Sequence, residues 1–137
     1  TNDLSKGLRC SLEHDRLALV PHLVNMVCAA RARGLYVLDG VYNHFRDPKG
    51  FRSEAEQGRA LGFDGKTLIH PGQIAVANEI FGISEAREAE ANAIVEAFER
   101  PENRDAGVIG LDGRMVERLH LEEARRTLAL AALQQGG

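Results

Sequence analysis

The sequence has 137 residues, of which 44% are hydrophobic and 27% charged, the composition of a soluble globular protein and the length of one ordinary domain. Its 17 basic and 20 acidic residues are spread along the chain and give a net charge of -3, so no basic stripe can follow a nucleic-acid backbone. Apolar stretches such as 17–20 and 127–133 fall well short of the ~20 residues that a membrane span needs. Nucleic acid and membrane are therefore not expected as partners.

Cysteine usage favours a reducing, cytoplasmic compartment. The two cysteines, Cys10 and Cys28, have a spacing that matches neither a metal site nor a Cys-x-x-Cys pair, so a disulfide framework is not expected. No basic stretch followed by an apolar core marks a signal peptide. Because the sequence opens with Thr1 rather than Met, we expect the start to be a cut and not a natural beginning.

The first predicted elements are a core-facing helix and a buried strand. Apolar residues recur three and four positions apart over one stretch, and this stripe stops at Gly34. Its members are Val20, Leu23, Val24, Val27 and Cys28. The run 35–38 is short, apolar and followed by Asp39 and Gly40, as expected of a buried strand that ends in a loop. A polar loop is predicted through 47–50.

The same alternation continues along the chain. A helix is predicted over 53–61 with Gly62 as its left-handed stop, then a strand at 67–69 and a second helix over 73–81. Strands that alternate with helices at this spacing predict parallel strands joined by right-handed crossovers. The predicted fold class is therefore α/β.

The remainder of the sequence predicts a helical appendage with a hairpin. Ser84 can cap a long helix with a polar face. The stretches 108–111 and 114–116 flank Asp112 and Gly113, the signal of a type I′ hairpin turn. A last helix follows and carries apolar residues on one face, namely Leu121, Ala124, Leu128 and Ala131 or Ala132.

Polar residues follow the two predicted strands, where an α/β barrel builds its active site. His70 ends the second strand just before a proline that can begin a helix, and Asp39 ends the first strand in the equivalent place. Each has a plainer interpretation, since His70 can cap the turn and Asp39 can form an Asx turn. Asp3 is by pattern a helix N-cap or a solvated charge. The residues alone leave these alternatives open.

The sequence also contains three segments in a fixed order, at 1–4, 61–74 and 112–120. The most specific is Leu-Gly-Phe-x-Gly-Lys followed by Ile-His-Pro-x-Gln-Ile, and the stretches 38–42 and 47–50 fit between the segments. Together they resemble the C-terminal half of the HpcH/HpaI aldolase and citrate lyase β-subunit family, which includes malyl-CoA and citramalyl-CoA lyases. The resemblance spans nearly the whole chain.

The resemblance implies a fold, a metal and a set of site residues. Members of the family are (β/α)8 TIM barrels that hold Mg2+ through one Glu and one Asp. Residues 1–82 would then be the last part of a barrel, and residues 83–137 a helical lid that takes part in oligomerisation. Asp3 matches the metal-binding Asp, whereas the partner Glu and a substrate-binding arginine belong to the family's first half. The substrate- and CoA-binding positions fall on Asn2, Asp39, His70 and Pro71.

The implied reaction is reversible carbon–carbon cleavage of a 3-hydroxyacyl-CoA into a 2-oxo acid and an acyl-CoA, with Mg2+ as Lewis acid. The family places an Asp that moves the proton at the thioester carbon where this sequence has Glu117. The extra methylene displaces the carboxylate by about 1 Å, an error that can cost ~100-fold in rate. Because the partner Glu and the arginine are not in this sequence, we expect the chain alone to be inactive.

Other functions stay open beside this one. Thioester hydrolysis of malyl-CoA and pyruvate-type aldol cleavage without CoA are alternatives, since the barrel supports several chemistries through its loops. A noncatalytic partner subunit that docks through its lid helices is a third. The family further implies a homo-oligomer, a trimer or a hexamer. The sequence does not determine which acyl-CoA is used, or whether a carrier protein replaces CoA.

Overall fold

A computed structural model describes residues 1–135, and the chain divides into two compact units, Thr1–Phe81 and the residues from Gly82 onward. The first unit contains α1 (Asn2–Leu8), α2 (Glu13–Arg16), α3 (Val20–Arg31), β1 (Leu38–Asp39), α4 (Pro48–Ala60), β2 (Gly65–Lys66), a 3-10 turn (Pro71–Gln73) and α5 (Ile74–Phe81). The second contains α6 (Glu85–Glu99), β3 (Val108–Leu111), β4 (Arg114–Glu117) and α7 (Arg118–Gln135). Within the described residues no helix is both long and apolar enough to cross a membrane.

Two short parallel strands form the sheet of the first unit. Leu38 of β1 pairs with Gly65 of β2, and Asp39 pairs with Lys66. A hydrogen bond of 2.9 Å from Thr67 N to Asp39 O continues the ladder. The parallel pairing predicted from the alternation of helices and strands is therefore confirmed.

The strand boundaries predicted from apolar runs, 35–38 and 67–69, are wrong. The paired residues include Asp39 and Lys66, which are charged and buried, whereas Leu35 is 59% exposed. Asp39 and Lys66 lie inside the sheet because their opposite charges compensate each other through an ion pair of 2.8 Å. An apolar pattern gives no sign of strands stabilised in this way.

The helix α4 begins five residues earlier than predicted, so the predicted loop at 47–50 is also wrong. Asp47 caps this helix by accepting a hydrogen bond from Gly50 N at 3.0 Å, and Pro48 occupies the first turn, where its missing N–H costs nothing. Gly62, with φ of 99°, is the predicted left-handed residue after the helix. The local sequence Asp-Pro is thus a helix start and not a loop.

The core of the first unit lies against α3. Its buried cluster consists of Leu19, Leu23, Val27 and Phe63. Full burial of one such side chain contributes about 1.5–3 kcal/mol relative to exposure. The predicted stripe of α3 is only partly correct, because Val24 is 38% exposed and Cys28 is an exposed free thiol.

The second unit is a helix pair with a hairpin, as predicted. Ser84 Oγ accepts a hydrogen bond from Arg87 N at 3.3 Å and caps α6. β3 and β4 pair in antiparallel fashion, and Asp112 and Gly113 between them have φ of 50° and 77°, as a type I′ turn requires. α6, the hairpin and α7 share a buried core formed by Ala97, Phe98, Ile109, Val116 and Leu121.

Candidate functional site

The two strands of the first unit end at the same edge because they are parallel. Loop 40–46 follows β1, and segment 67–73 follows β2. In α/β barrels the loops at the carboxyl ends of the strands build the active site. These two segments and the residues that contact them form the candidate site.

A buried group of charges is centred on Asp39, the last residue of β1. Arg16 Nη1 donates hydrogen bonds of 2.8 and 3.0 Å to the Asp39 carboxylate, and Lys66 Nζ donates a third of 2.8 Å. Lys66 Nζ also donates to Glu54 at 2.7 Å, and Arg16 donates to Gln57 Oε1 at 2.7 and 3.0 Å. Arg16 is 2% exposed and Asp39 is 0% exposed. We call these residues the charge cluster.

The charge cluster keeps Asp39 ionised. Burial alone would raise the pKa of this carboxyl group, but the hydrogen bonds from Arg16 and the charge and hydrogen bond of Lys66 outweigh it and hold the pKa below its ordinary value of 3.8. The two cations balance the carboxylates of Asp39 and Glu54. The protein's own cations therefore occupy the Asp39 carboxylate, and its role as a substrate ligand stays a prediction.

The segment that carries Arg16 has a left-handed backbone. His14, Asp15 and Arg16 have φ of 52°, 57° and 56°, a conformation that costs roughly 1–2 kcal/mol for each residue with a Cβ. The hydrogen bonds of Arg16 offset this cost, and Gln57 Nε2 adds one to the Asp15 carbonyl. Sequence reasoning missed Arg16, because its partners lie 23 and 41 positions away and no glycine marks the left-handed turn.

A pocket of about 420 Å³ lies beside the charge cluster. It is lined by the left-handed turn, by loop 40–46 and by α4, and its polar side chains include His14, Tyr42, Asn43, His44, Ser53 and Glu54. Tyr42 Oη donates a hydrogen bond to Asp47 at 2.9 Å, and burial together with this carboxylate raises the pKa of Tyr42. A volume of this size suits part of a small-molecule ligand.

The start of α1 contacts loop 40–46. Asn2 and Asn43 exchange side-chain hydrogen bonds of 3.1 and 2.7 Å. A Cβ on Gly40 would lie 2.5 Å from Thr1 Oγ1, so the absence of a side chain at Gly40 lets Thr1 approach this loop closely. The predicted ligand residue Asn2 therefore lies next to the loop that follows Asp39.

Asp3 is exposed in the first turn of α1. A carboxylate oxygen is the ligand type that Mg2+ prefers, and this ion usually takes one or two carboxylates and keeps several waters. Among residues 1–135, however, no three His, Cys, Asp or Glu side chains are grouped closely enough to hold a metal ion. Asp3 can thus supply one carboxylate ligand to Mg2+, and the described residues form no complete metal site around it.

The segment after β2 is attached to loop 40–46 at two points. The rings of His70 and Phe45 stack with centroids 5.0 Å apart and planes at 20°, and Gln73 Nε2 donates to Tyr42 O at 3.2 Å. His70 Nδ1 accepts a hydrogen bond from Gly72 N at 3.0 Å, so His70 does cap the turn that Pro71 begins. Substrate contact by His70 and Pro71 stays a prediction.

The predicted catalytic carboxylate lies in the other unit. Glu117 is the last residue of β4, its side chain is exposed, and its backbone N donates to His120 Nδ1 at 2.9 Å. The structure thus brings Asn2 and His70 into contact with loop 40–46, which begins directly after Asp39, and Pro71 adjoins His70 in the chain. The role of Glu117 as a general base stays a prediction.

Comparison with known proteins identifies relatives of the chain. The family described as C-C_Bond_Lyase of the TIM-Barrel fold matches residues 16–134. A (3S)-malyl-CoA thioesterase of Cereibacter sphaeroides is 52% identical over 96% of this chain and 46% of that protein. An L-malyl-CoA/beta-methylmalyl-CoA lyase of Rhodobacter capsulatus is 39% identical over 72% of this chain and 31% of that protein.

A solved structure shares the fold. CitE from Mycobacterium tuberculosis, in complex with magnesium, acetoacetate and coenzyme A, superposes with a TM-score of 0.71 at 29% identity, covering 96% of this chain and 49% of that one. This chain spans about half the length of CitE and of the malyl-CoA thioesterase. The predicted architecture, part of a TIM barrel followed by helices and a hairpin, is confirmed.

Proposed function

This chain belongs to the carbon–carbon bond lyase family of the TIM-barrel fold, and from this membership we propose that the protein acts on a CoA thioester of the malyl-CoA type. One observation carries the proposal. Two relatives that are named for different reactions, a thioesterase and a lyase, both have malyl-CoA in their names. The substrate class is what the two names have in common.

The reaction that we propose is reversible carbon–carbon cleavage. The bond between the hydroxyl-bearing carbon and the thioester α-carbon breaks, and its electron pair forms the thioester enolate. The hydroxyl proton passes to solvent as the 2-oxo acid forms, and a proton delivered to the α-carbon of the enolate gives the acyl-CoA. We assign to the Glu117 carboxyl group the delivery of the proton to the enolate. Asn2, His70 and Pro71 are the residues that we assign to the substrate side. Asp39 we assign to the same side through Arg16, which it holds at the wall of the pocket.

We assign Asp3 as one carboxylate ligand of a Mg2+ ion. Its side chain is exposed, and its neighbour Asn2 exchanges side-chain hydrogen bonds with Asn43 of loop 40–46. When bound, Mg2+ would supply positive charge to the oxygens of the oxo-acid part. The presence of magnesium in the CitE complex supports this assignment.

Thioester hydrolysis is the second candidate. The observation in its favour is the 52% identity to a malyl-CoA thioesterase over nearly the whole chain. In this reaction water attacks the thioester carbonyl carbon, the carbon–sulfur bond breaks, and the thiolate of CoA takes up a proton. Glu117 is then the base that activates the water.

Product analysis distinguishes the two reactions. The complete protein is incubated with (3S)-malyl-CoA and Mg2+, and glyoxylate, acetyl-CoA, malate and free CoA are quantified. Equal amounts of glyoxylate and acetyl-CoA support cleavage of the carbon–carbon bond, whereas malate with free CoA supports hydrolysis. Turnover of malyl-CoA by neither route would reject the proposed substrate class. A parallel reaction with EDTA tests the need for a divalent cation.

The proposal includes an assembly. Residues 1–82 form the barrel part, and residues 83–137 form the lid through which the protein associates as a trimer or hexamer in the cytoplasm. Light scattering coupled to size-exclusion chromatography measures the oligomeric state of the complete protein. A monomer at assay concentration would contradict this part of the proposal.

A further inference from the structure

We propose that His70 donates a hydrogen bond from Nε2 to the carbonyl oxygen of the bound thioester, and that Phe45 positions the His70 ring for this contact. The inference rests on the proposed function, since it names a contact within the same site. It goes further by naming the donor atom, the tautomer of the neutral ring and the positioning residue.

The hydrogen bond with Gly72 determines which ring nitrogen of His70 carries the proton. Nδ1 accepts from Gly72 N at 3.0 Å, so its lone pair is in use and the neutral ring has its proton on Nε2. The fit is close, because a Cβ on Gly72 would lie 3.0 Å from Nδ1. His70 in this state offers a donor, not a base.

The stack with Phe45 fixes the direction of that donor. The two rings lie 5.0 Å apart with planes at 20°, and this stack favours one orientation of the His70 ring over others. Phe45 is 45% exposed, and its ring therefore does little to fill the core. Because Phe45 belongs to the loop after β1 and His70 follows β2, the stack also fixes the two loops relative to each other.

The Nε2 donor is available to a ligand. Within the part of the chain that the structure describes, Nε2 bonds to no protein atom, and His70 is exposed. A donor aimed at an oxygen that becomes negative during the reaction stabilises the transition state. Carbon–carbon cleavage places the developing charge on the thioester oxygen as an enolate, and hydrolysis places it on the same oxygen as a tetrahedral oxyanion. The proposed contact thus serves either reaction.

The plainer alternative is that His70 only caps the 3-10 turn, and His70→Asn separates the two roles. Asn has an acceptor oxygen near the position of Nδ1 and is a favoured cap, but it has no atom at the position of Nε2. In the complete protein we expect His70→Asn to lower kcat for malyl-CoA by ~100 to 1,000-fold, the effect of losing one oxyanion donor, with little change in the unfolding midpoint. His22→Asn, the same substitution on the exposed side of α3, is the control and should leave kcat unchanged.

Phe45→Leu tests the positioning role. It keeps an apolar side chain but removes the ring stack, so we expect a smaller fall in kcat and a KM for malyl-CoA close to that of the wild-type protein. Nitrogen-15 NMR of histidine-labelled protein reports on the two ring nitrogens of His70 directly. A purely structural role for His70 would not make these signals respond to a bound thioester. Wild-type His70 should show a protonated Nε2 and an unprotonated Nδ1, and acetyl-CoA, a stable thioester, should shift the Nε2 signal.

The possible outcomes distinguish this inference from the proposed function. An active wild-type protein with equally active His70→Asn would overturn the inference and leave the function standing. A proton on Nδ1, or an Nε2 signal that acetyl-CoA leaves unmoved, would also overturn it. A wild-type protein that turns over malyl-CoA by neither reaction would overturn both.

Discussion

Lys66 provides the sharpest test of the charge cluster. Its side chain is 0% exposed, and its Nζ lies 2.8 Å from Asp39 and 2.7 Å from Glu54. Lys66→Met should lower the free energy of unfolding by about 3–5 kcal/mol, because it leaves buried carboxylate charge with too few cations. Urea unfolding of the complete protein measures this loss. Arg52→Met removes an exposed ion pair with Glu79 and should change the free energy little, so equal losses in both variants would contradict the prediction.

The pKa of Asp39 predicts how stability depends on pH. Because the folded-state pKa lies below the ordinary 3.8, Asp39 contributes stability that is fully present above that value and is lost as the pH falls through the folded-state pKa. Asp39→Asn should therefore be less stable than the wild-type protein at neutral pH, and the difference should narrow in acid below pH 3.8. Unfolding free energies measured across this range test it. If the stability difference widens in acid, the folded-state pKa of Asp39 is not lowered.

Two carboxylates are predicted to give different phenotypes in the complete protein. Asp3→Ala should abolish Mg2+-dependent turnover and weaken Mg2+ binding, because it removes a direct ligand. Glu117→Gln should leave Mg2+ binding nearly intact and lower the rate by ~100 to 10,000-fold, the loss expected for a general base. Isothermal titration of Mg2+ and steady-state kinetics on both variants provide the measurements. Unchanged activity of Glu117→Gln would remove this residue from the mechanism.

Among the elements, the hairpin of the second unit depends on one backbone conformation. Gly113 has φ of 77°, so Gly113→Ala should destabilise the hairpin by about 1 kcal/mol even though no atom lies within 4 Å of the added Cβ. Gly110→Ala is a matched control in β3, where the Cβ also meets nothing within 4 Å and the backbone is extended. Thermal unfolding of both variants tests the prediction. A larger loss of stability in Gly110→Ala than in Gly113→Ala would mean that the backbone conformation of Gly113 does not determine the cost of an added side chain.

Local signals in the sequence predicted several elements correctly. Asp112 and Gly113 mark the hairpin, Ser84 marks the start of α6, and Gly62 marks the end of α4, because each of these residues acts on the backbone next to it. The Asp47-Pro48 pair is also a local signal, and its interpretation as a loop overlooked the capping preference of Asp before Pro. Element ends were therefore predictable wherever a cap or a left-handed residue defines them.

The candidate site was predictable only in part, because its key contacts join residues far apart in the sequence. The predicted positions Asn2 and His70 do contact loop 40–46, and for His70 this contact was expected because it follows a strand that is parallel to β1. Arg16 could not be found, since its guanidinium reaches Asp39 and Gln57 across 23 and 41 positions. Asp39 was expected to face a ligand because it follows a predicted strand at the carboxyl end, where a barrel builds its active site. Its burial by ion pairing leaves no mark in an apolar pattern.

For the whole molecule, the chain expressed alone should unfold with low cooperativity. The sheet of the first unit has two strands and therefore two open edges, and several of its apolar side chains face solvent. They include Leu17 at 72%, Leu35 at 59%, Leu38 at 58% and Tyr36 at 54% exposure. Calorimetry should give a van't Hoff enthalpy below the calorimetric one. A sharp two-state melt of a monomer would show that the chain is a self-sufficient domain.

The two sheets differ in how far along the chain their partners lie, and this difference predicts an order of folding. In the hairpin, Leu111 and Arg114 are separated only by the two turn residues, whereas Asp39 and Lys66 meet across 27 positions. Closing the longer loop costs more chain entropy before any contact compensates for it. The hairpin is therefore expected to form early, and the parallel pair late, so the ionic centre of the first unit assembles only after most of the local structure is in place.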